Sequence, residues 1–192
     1  MKFEDHRIQP PWSNRIRCRP SKPRDEGLNP SGGANNYPVK RQKRVWSCGA
    51  AVVRNVFRIY GVRVAEHEIW PHSETTKEFG TSEHGILNAL KVWEFSPRQH
   101  KFSDKEKAWE WLHGTLSLGY PVILAVENWE HWVLAIGSLG DLGVAIFDSS
   151  NFKVNTYENG CHVWSKKKLL YKWWNDRKHV DDERIYAISV KR

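Results

Sequence analysis

Residues 120–150 read YPVILAVENWEHWVLAIGSLGDLGVAIFDSS. Three short runs, rich in Val, Ile, Leu and Ala, are separated by joints carrying Asn, Gly and Asp. Runs of this length and β-branched content, bounded by turn formers, predict consecutive antiparallel strands. The first run ends at ENWE, the second opens on His131, and the third closes on Asp148. In an antiparallel hairpin the start of one strand lies beside the end of the next. His131 and Asp148 are therefore expected at one edge of a sheet, where a carboxylate can orient an imidazole.

The chain on either side has a different period. In CGAAVVRNVFRIYG (48–61), Val52, Val53, Val56, Phe57 and Tyr60 form a helical stripe, and Gly61 is the stop. A short helix is expected around AEHEIW. A longer one, begun by Thr81 or Ser82, carries Ile86, Leu87, Leu90 and Trp93 on one face. Ser103 with Glu106 reads as a capping box that starts another. Beyond the strand region, Asn159-Gly160 signals a turn, SKKKLLYKWWND a last helix and RIYAISV a closing strand. Helices first and sheet second imply an α+β fold in two layers.

Bulk properties narrow the classes. The chain has 192 residues, 40% of them hydrophobic, and 11 Trp, enough for a real core. It has no apolar run of membrane-spanning length and no secretory h-region, so no membrane role and a cytoplasmic location are expected. Three Cys (Cys18, Cys48, Cys161) favour free thiols over a disulfide framework. The net charge of +8 is uneven: residues 1–44 hold 11 Lys and Arg against 4 Asp and Glu, and the rest hold 19 against 18. Residues 1–44, rich in Pro and Gly, are expected to be a basic, irregular arm, and 45–192 the folded domain. Nucleic acid is an unexpected partner, and any such contact would rest on the arm. Gly32-Gly33 reads as a linker. The run KKKLLYKWW reads as an amphipathic helix with solvated lysines. His84, His100, His113, His162 and His179 are scattered, without metal-ligand spacing, so neither a metal nor another cofactor is expected.

Cys48 precedes its apolar stripe by one turn. A helix N-terminus favours a thiolate, and Gly49 and Ala50 leave room for a substrate backbone. Gln42 lies within a loop's reach, and its amide can donate to an oxyanion. Alone, a Cys in CGAAVV is more often a small core residue. Together with His131 and Asp148 it makes a nucleophile, a base and an orienting acid.

Gln-x5-Cys-Gly-Ala-Ala on a first helix, a later Gly-Thr-Ser, Tyr-Pro-Val-Ile, a strand-leading His and a strand-ending Asp, in that order, resemble one family. It is that of the papain-like cysteine peptidases that process bacteriocins by cutting double-glycine leader peptides, and the likeness runs over roughly residues 40–192, Lys172-Trp173 included. The resemblance implies a papain-like fold, a peptide or protein substrate, Cys48 as nucleophile, His131 as general base, Asp148 as orienting acid and Gln42 in the oxyanion hole. It departs at one point, having Asp148-Ser149 where the family often has Asp-Pro. Without transporter domains, the chain is similar to the stand-alone members. Transfer of the thioester to an amine (a ligase or cyclase), an isopeptidase, and an inactive binding module with the same fold that uses the basic arm as its contact surface are the alternatives. Substrate sequence and oligomeric state are not legible.

Overall fold

The computed structural model describes residues 40–150, 161–176 and 184–192. The arm before Lys40, with Cys18 and Gly32-Gly33, lies outside the described residues, as does the Asn159-Gly160 turn. The first five described residues, assigned from sequence to the arm, are bonded to the body. The Lys40 N–H donates to Asn55 Oδ1 (3.1 Å), and the Lys43 N–H donates to Glu66 Oε1 (3.0 Å).

Helices α1 (Cys48–Ile59), α2 (Glu66–Ser73) and α3 (Glu83–Val92) come first, followed by β1 (Ser96–Phe102), α4 (Lys105–Ser117), β2 (Val122–Val126), β3 (His131–Ser138), β4 (Val144–Phe147), β5 (Cys161–Trp164), α5 (Lys166–Trp173) and β6 (Ile185–Lys191). The elements follow their sequence signals closely. After α1 the chain turns at Gly61 with φ +80°, which glycine adopts without strain. Ser82 caps α3 by accepting from the Gly85 N–H. The α4 cap is Asp104, which accepts from the Lys107 N–H at 2.8 Å, in place of the expected Ser103. A carboxylate one residue later is the better cap, because its charge also meets the positive helix end.

The strands form one antiparallel sheet in the order β1-β6-β2-β3-β4-β5. Strand β1 was not legible as a strand. SPRQHKF has no apolar alternation and carries Pro97 as its second residue, features of an exposed edge, and it pairs only with β6. The last strand, β6, lies between β1 and β2, inside the sheet.

Both faces of the sheet are covered, which corrects the two-layer expectation. Ile123, Ala125, Trp132, Leu134 and Ile188 pack with α1–α3 in one core. Their strand neighbours Val122, Leu124, Val133, Ala135 and Ala187 pack with α4 and α5 in another. The signal was in the strands themselves: VILAV is apolar at every position, as strands buried on both sides are. Among the described residues no helix is long and apolar enough to cross a membrane.

Candidate active site

Strands β2 and β3 are joined by Glu127–Glu130, and this turn presents His131. Glu127, Asn128 and Trp129 all have positive φ, at 56°, 57° and 70°. Such backbone persists in non-glycine residues only where surroundings over-determine it. Here the Glu127 N–H donates to the Lys172 carbonyl at 2.7 Å, and the Glu127 carboxylate pairs with the Lys172 ammonium. Asn128 Oδ1 accepts from the Asp176 N–H (3.0 Å), and the Trp129 ring lies 4.7 Å from that of Tyr186. The last turn of α5 therefore fixes the head of β3.

His131 and Asp148 meet as the hairpin topology requires. His131 Nε2 lies 2.8 Å from Asp148 Oδ1. Cys48 acts on the same imidazole, raising its affinity for a proton. With Nε2 engaged by the acid, Nδ1 is left for the sulfur. Asp148 Oδ1 accepts in addition from the Ser150 N–H (2.9 Å) and Oγ (2.7 Å). This is an Asx-type turn, the local chemistry expected of an Asp followed two residues later by a donor. The serine following the acid leaves that acid in place.

The electrostatics follow from these contacts. Burial alone would push the His131 pKa down. Hydrogen bonds to Asp148 and Cys48, with their charges, outweigh it and raise the value from 6.5 to about 10. Asp148 is pushed up by burial and down more strongly by His131 and Ser150, ending well below the usual carboxylate range. The imidazolium form is thus favoured at neutral pH. Because the folded value of His131 is raised, its contribution to stability is fully present below about pH 6.5 and is lost as pH rises through about 10. The Asp148 contribution has the opposite sense: present above 3.8 and lost as pH falls below it. The His131 ring-proton NMR shift should accordingly titrate with a midpoint near 10. A midpoint close to 6.5 would contradict this coupling.

Cys48 is the first residue of α1 and is buried to 8% exposure. Its helix start is uncapped by the side chain of Ser47, which turns away and donates to Glu66 Oε1 at 2.6 Å. The first-turn N–H groups of α1 therefore have no side-chain cap. Gly49 has a different role from the expected one. A Cβ there would meet Thr81 Cβ at 2.4 Å, so the space beside Gly49 is filled by Thr81 and not kept for substrate. Thr81 is held in turn by Thr75 Oγ1 (2.7 Å), and its carbonyl accepts from Trp132 Nε1 (2.9 Å). Trp132 follows His131, so one strand both presents the imidazole and pins the residue that packs against the Cys48 helix.

Gln42 is buried at 5% exposure, in contact with the turn that carries the acid. Its N–H donates to the Ser149 carbonyl (3.2 Å), and its Oε1 accepts from Ser149 Oγ (3.0 Å). Its Nε2 donates to the carbonyls of Arg44 (2.8 Å) and Val45 (2.9 Å). All four residues singled out from sequence thus come into one neighbourhood. Sequence reading missed their supports: Ser149, Ser150, Thr81 and a buried pair, Arg54 and Glu66. Glu66 pairs with Arg54 (2.9 Å) and accepts from the Lys43 N–H and Ser47 Oγ, while Arg54 Nη2 donates to the Lys40 and Arg41 carbonyls, both at 2.8 Å. Only the Asp-x-Ser spacing at 148–150 carried a readable signal. The ion pair had none, since its partners are on different helices and bond to backbone.

Elsewhere, Cys161 is disulfide-bonded, against the expectation of free thiols, and Cys48 is free. Among the described residues no group of three His, Cys, Asp or Glu is placed to hold a metal ion.

Residues 36–171 match the model of the peptidase C39 family. No curated protein matches the chain. Similar solved structures include a double-glycine motif protease from an AMS/PCAT transporter, in complex with the leader peptide (17% identity, TM-score 0.60, covering 80% of this chain and 90% of that one). The peptidase domain of Streptococcus ComA, a bifunctional ABC transporter of a quorum-sensing pathway, is similar at 23% identity and TM-score 0.61, over 81% and 98% of the two chains. A C39-like peptidase from Bacillus anthracis is similar at 13% identity and TM-score 0.53, over 82% and 96%. The fold is thus the papain-like peptidase fold, and the chain, a cysteine peptidase, belongs to the peptidase C39 family.

Proposed function

We propose that the chain cleaves a peptide bond with Cys48 as nucleophile, His131 as general base and acid, Asp148 as orienting acid and Gln42 as an oxyanion donor. The observation that carries this reading is the imidazole of His131, held by Asp148 at 2.8 Å and acted on by Cys48 at the start of α1. The thiol proton rests on His131 as imidazolium, and the sulfur attacks the carbonyl carbon. Asp148 favours the imidazolium, so the proton stays there until the C–N bond breaks and the leaving amine collects it. The acyl group remains on sulfur as a thioester. Water then adds, giving one proton to His131 and its hydroxyl to the acyl carbon, and the acid is released from sulfur. The developing oxyanion is met by the Cys48 backbone N–H and by Gln42. Both amide hydrogens of Gln42 are directed at carbonyls of its own loop, so it assists by moving one of them onto the new charge.

The substrate is proposed to be a peptide, since a relative of the same fold was solved with its leader peptide bound. A fully active site is distinguished from an inactive module by thiol reactivity. Iodoacetamide near neutral pH should alkylate Cys48 quickly, and His131→Ala should slow that reaction at least about tenfold. Peptide mapping by mass spectrometry reads both. Equal rates with and without His131 would remove the base from the mechanism.

A further inference from the structure

We propose that Ser149 is a positioning residue of the reaction, acting through Gln42. This rests on the reading of Gln42 as an oxyanion donor. Gln42 and Ser149 are both buried, at 5% and 3% exposure, and they join through two hydrogen bonds: backbone N–H to carbonyl at 3.2 Å and Oγ to Oε1 at 3.0 Å.

The chemistry of the amide gives the second bond its meaning. A glutamine side chain has one accepting and one donating end, nearly alike in shape, and rotation about its last bond exchanges them. Only the NH2 end can serve an oxyanion. A hydroxyl that donates to Oε1 selects the orientation in which Nε2 faces the loop before Cys48. The carbonyls of Arg44 and Val45, which accept from that Nε2, select the same orientation from the other side. In the reverse orientation Oε1 would face two carbonyl oxygens. Ser149 is therefore the donor that makes the preference two-sided, and it does so from inside the turn that holds the acid. Asp148 is fixed by Ser150, two residues on. Three consecutive residues thus set the imidazole's partner and the oxyanion donor together.

The test uses p-nitrophenyl acetate, a small activated ester that asks nothing of peptide specificity. Cys48 attacks its carbonyl, p-nitrophenolate leaves, and an acetyl thioester forms. The rate of the Cys48-dependent burst, with Cys48→Ala as blank, is compared with the rate of iodoacetamide alkylation, which passes through no oxyanion. Gln42→Ala should slow acylation about 100- to 1,000-fold. Ser149→Ala should slow it roughly tenfold, the scale of one neutral hydrogen bond, while alkylation stays unchanged. Ser149→Thr, which keeps the hydroxyl, should restore most of the rate. In a Gln42→Ala background, Ser149→Ala should have no further effect. An equal further loss in that background would overturn the proposal. So would a parallel loss of alkylation and acylation, which marks a general disturbance of the fold. An unchanged burst in Gln42→Ala overturns the oxyanion reading and the Ser149 proposal with it. An unchanged burst in Ser149→Ala alone overturns only the latter.

Discussion

Cys48→Ala is expected to abolish turnover, lowering kcat by about a millionfold, the scale reached when a triad protease loses its nucleophile. The size of the effect follows from what remains. His131 and Asp148 would still hold one another at 2.8 Å, and the helix N–H groups would still face the site. Those groups stabilise charge on an oxyanion, but nothing would be left to attack the carbonyl. The fold should hardly notice. Cys48 stands at the first turn of α1, and alanine has higher helix propensity and lacks one atom. The melting temperature should therefore move by only a few degrees, on the order of what 1 kcal/mol produces in a domain of this size. The pairing of lost activity with kept stability is the diagnostic part. It is read as burst amplitude with p-nitrophenyl acetate beside a thermal scan. A variant that kept turnover would relocate the nucleophile, and among the described residues no other free cysteine is present.

The residues proposed to do the chemistry were more legible than those that hold them. Cys48, His131 and Asp148 could be placed because each stands at the boundary of a strongly periodic element, and boundaries in an antiparallel hairpin map onto neighbouring points in space. Gln42 was placed by spacing alone. Strand β1 was lost because an edge strand with polar residues has no apolar period to read. The third layer was hidden differently. VILAV and HWVLAI announced burial on both faces, yet helix-first order suggested one covered face. Gly49 was assigned to substrate access, although the crowding that requires it comes from Thr81, a residue 32 positions away in the chain. Such contacts depend on how two elements lie against each other, and local pattern does not encode that. The Arg54–Glu66 pair is the extreme case: two charged residues that sequence statistics place on the surface, both buried here.

That pair gives the second large expectation. Glu66→Ala should destabilise the protein by about 3–5 kcal/mol, the range for breaking a buried ion pair by removing one partner. Against a typical total of about 5–15 kcal/mol this approaches loss of the fold. Glu66 is fully buried, and three groups converge on its carboxylate: Arg54 Nη1 at 2.9 Å, the Lys43 N–H at 3.0 Å and Ser47 Oγ at 2.6 Å. Without it, Arg54 becomes an unpaired cation in a site where burial already lowers its pKa and where its Nε has no partner. Making both residues apolar, as in Arg54→Met with Glu66→Leu, removes the stranded charge and often restores a buried pair's loss entirely. Here recovery should be incomplete. The Lys43 N–H would still lack its acceptor and the Arg41 carbonyl its donor, while Ser47 Oγ keeps the Arg44 carbonyl and the Lys40 carbonyl keeps Asn55 Nδ2. Urea midpoints of the single and double variants separate the two contributions. The double variant should fall between Glu66→Ala and the unsubstituted protein. Since these bonds anchor residues 40–47, it should also lose acylation rate beyond its loss of stability, because Gln42 and the start of α1 are carried on that loop. Full recovery of both stability and rate would mean that the loop holds its shape without them.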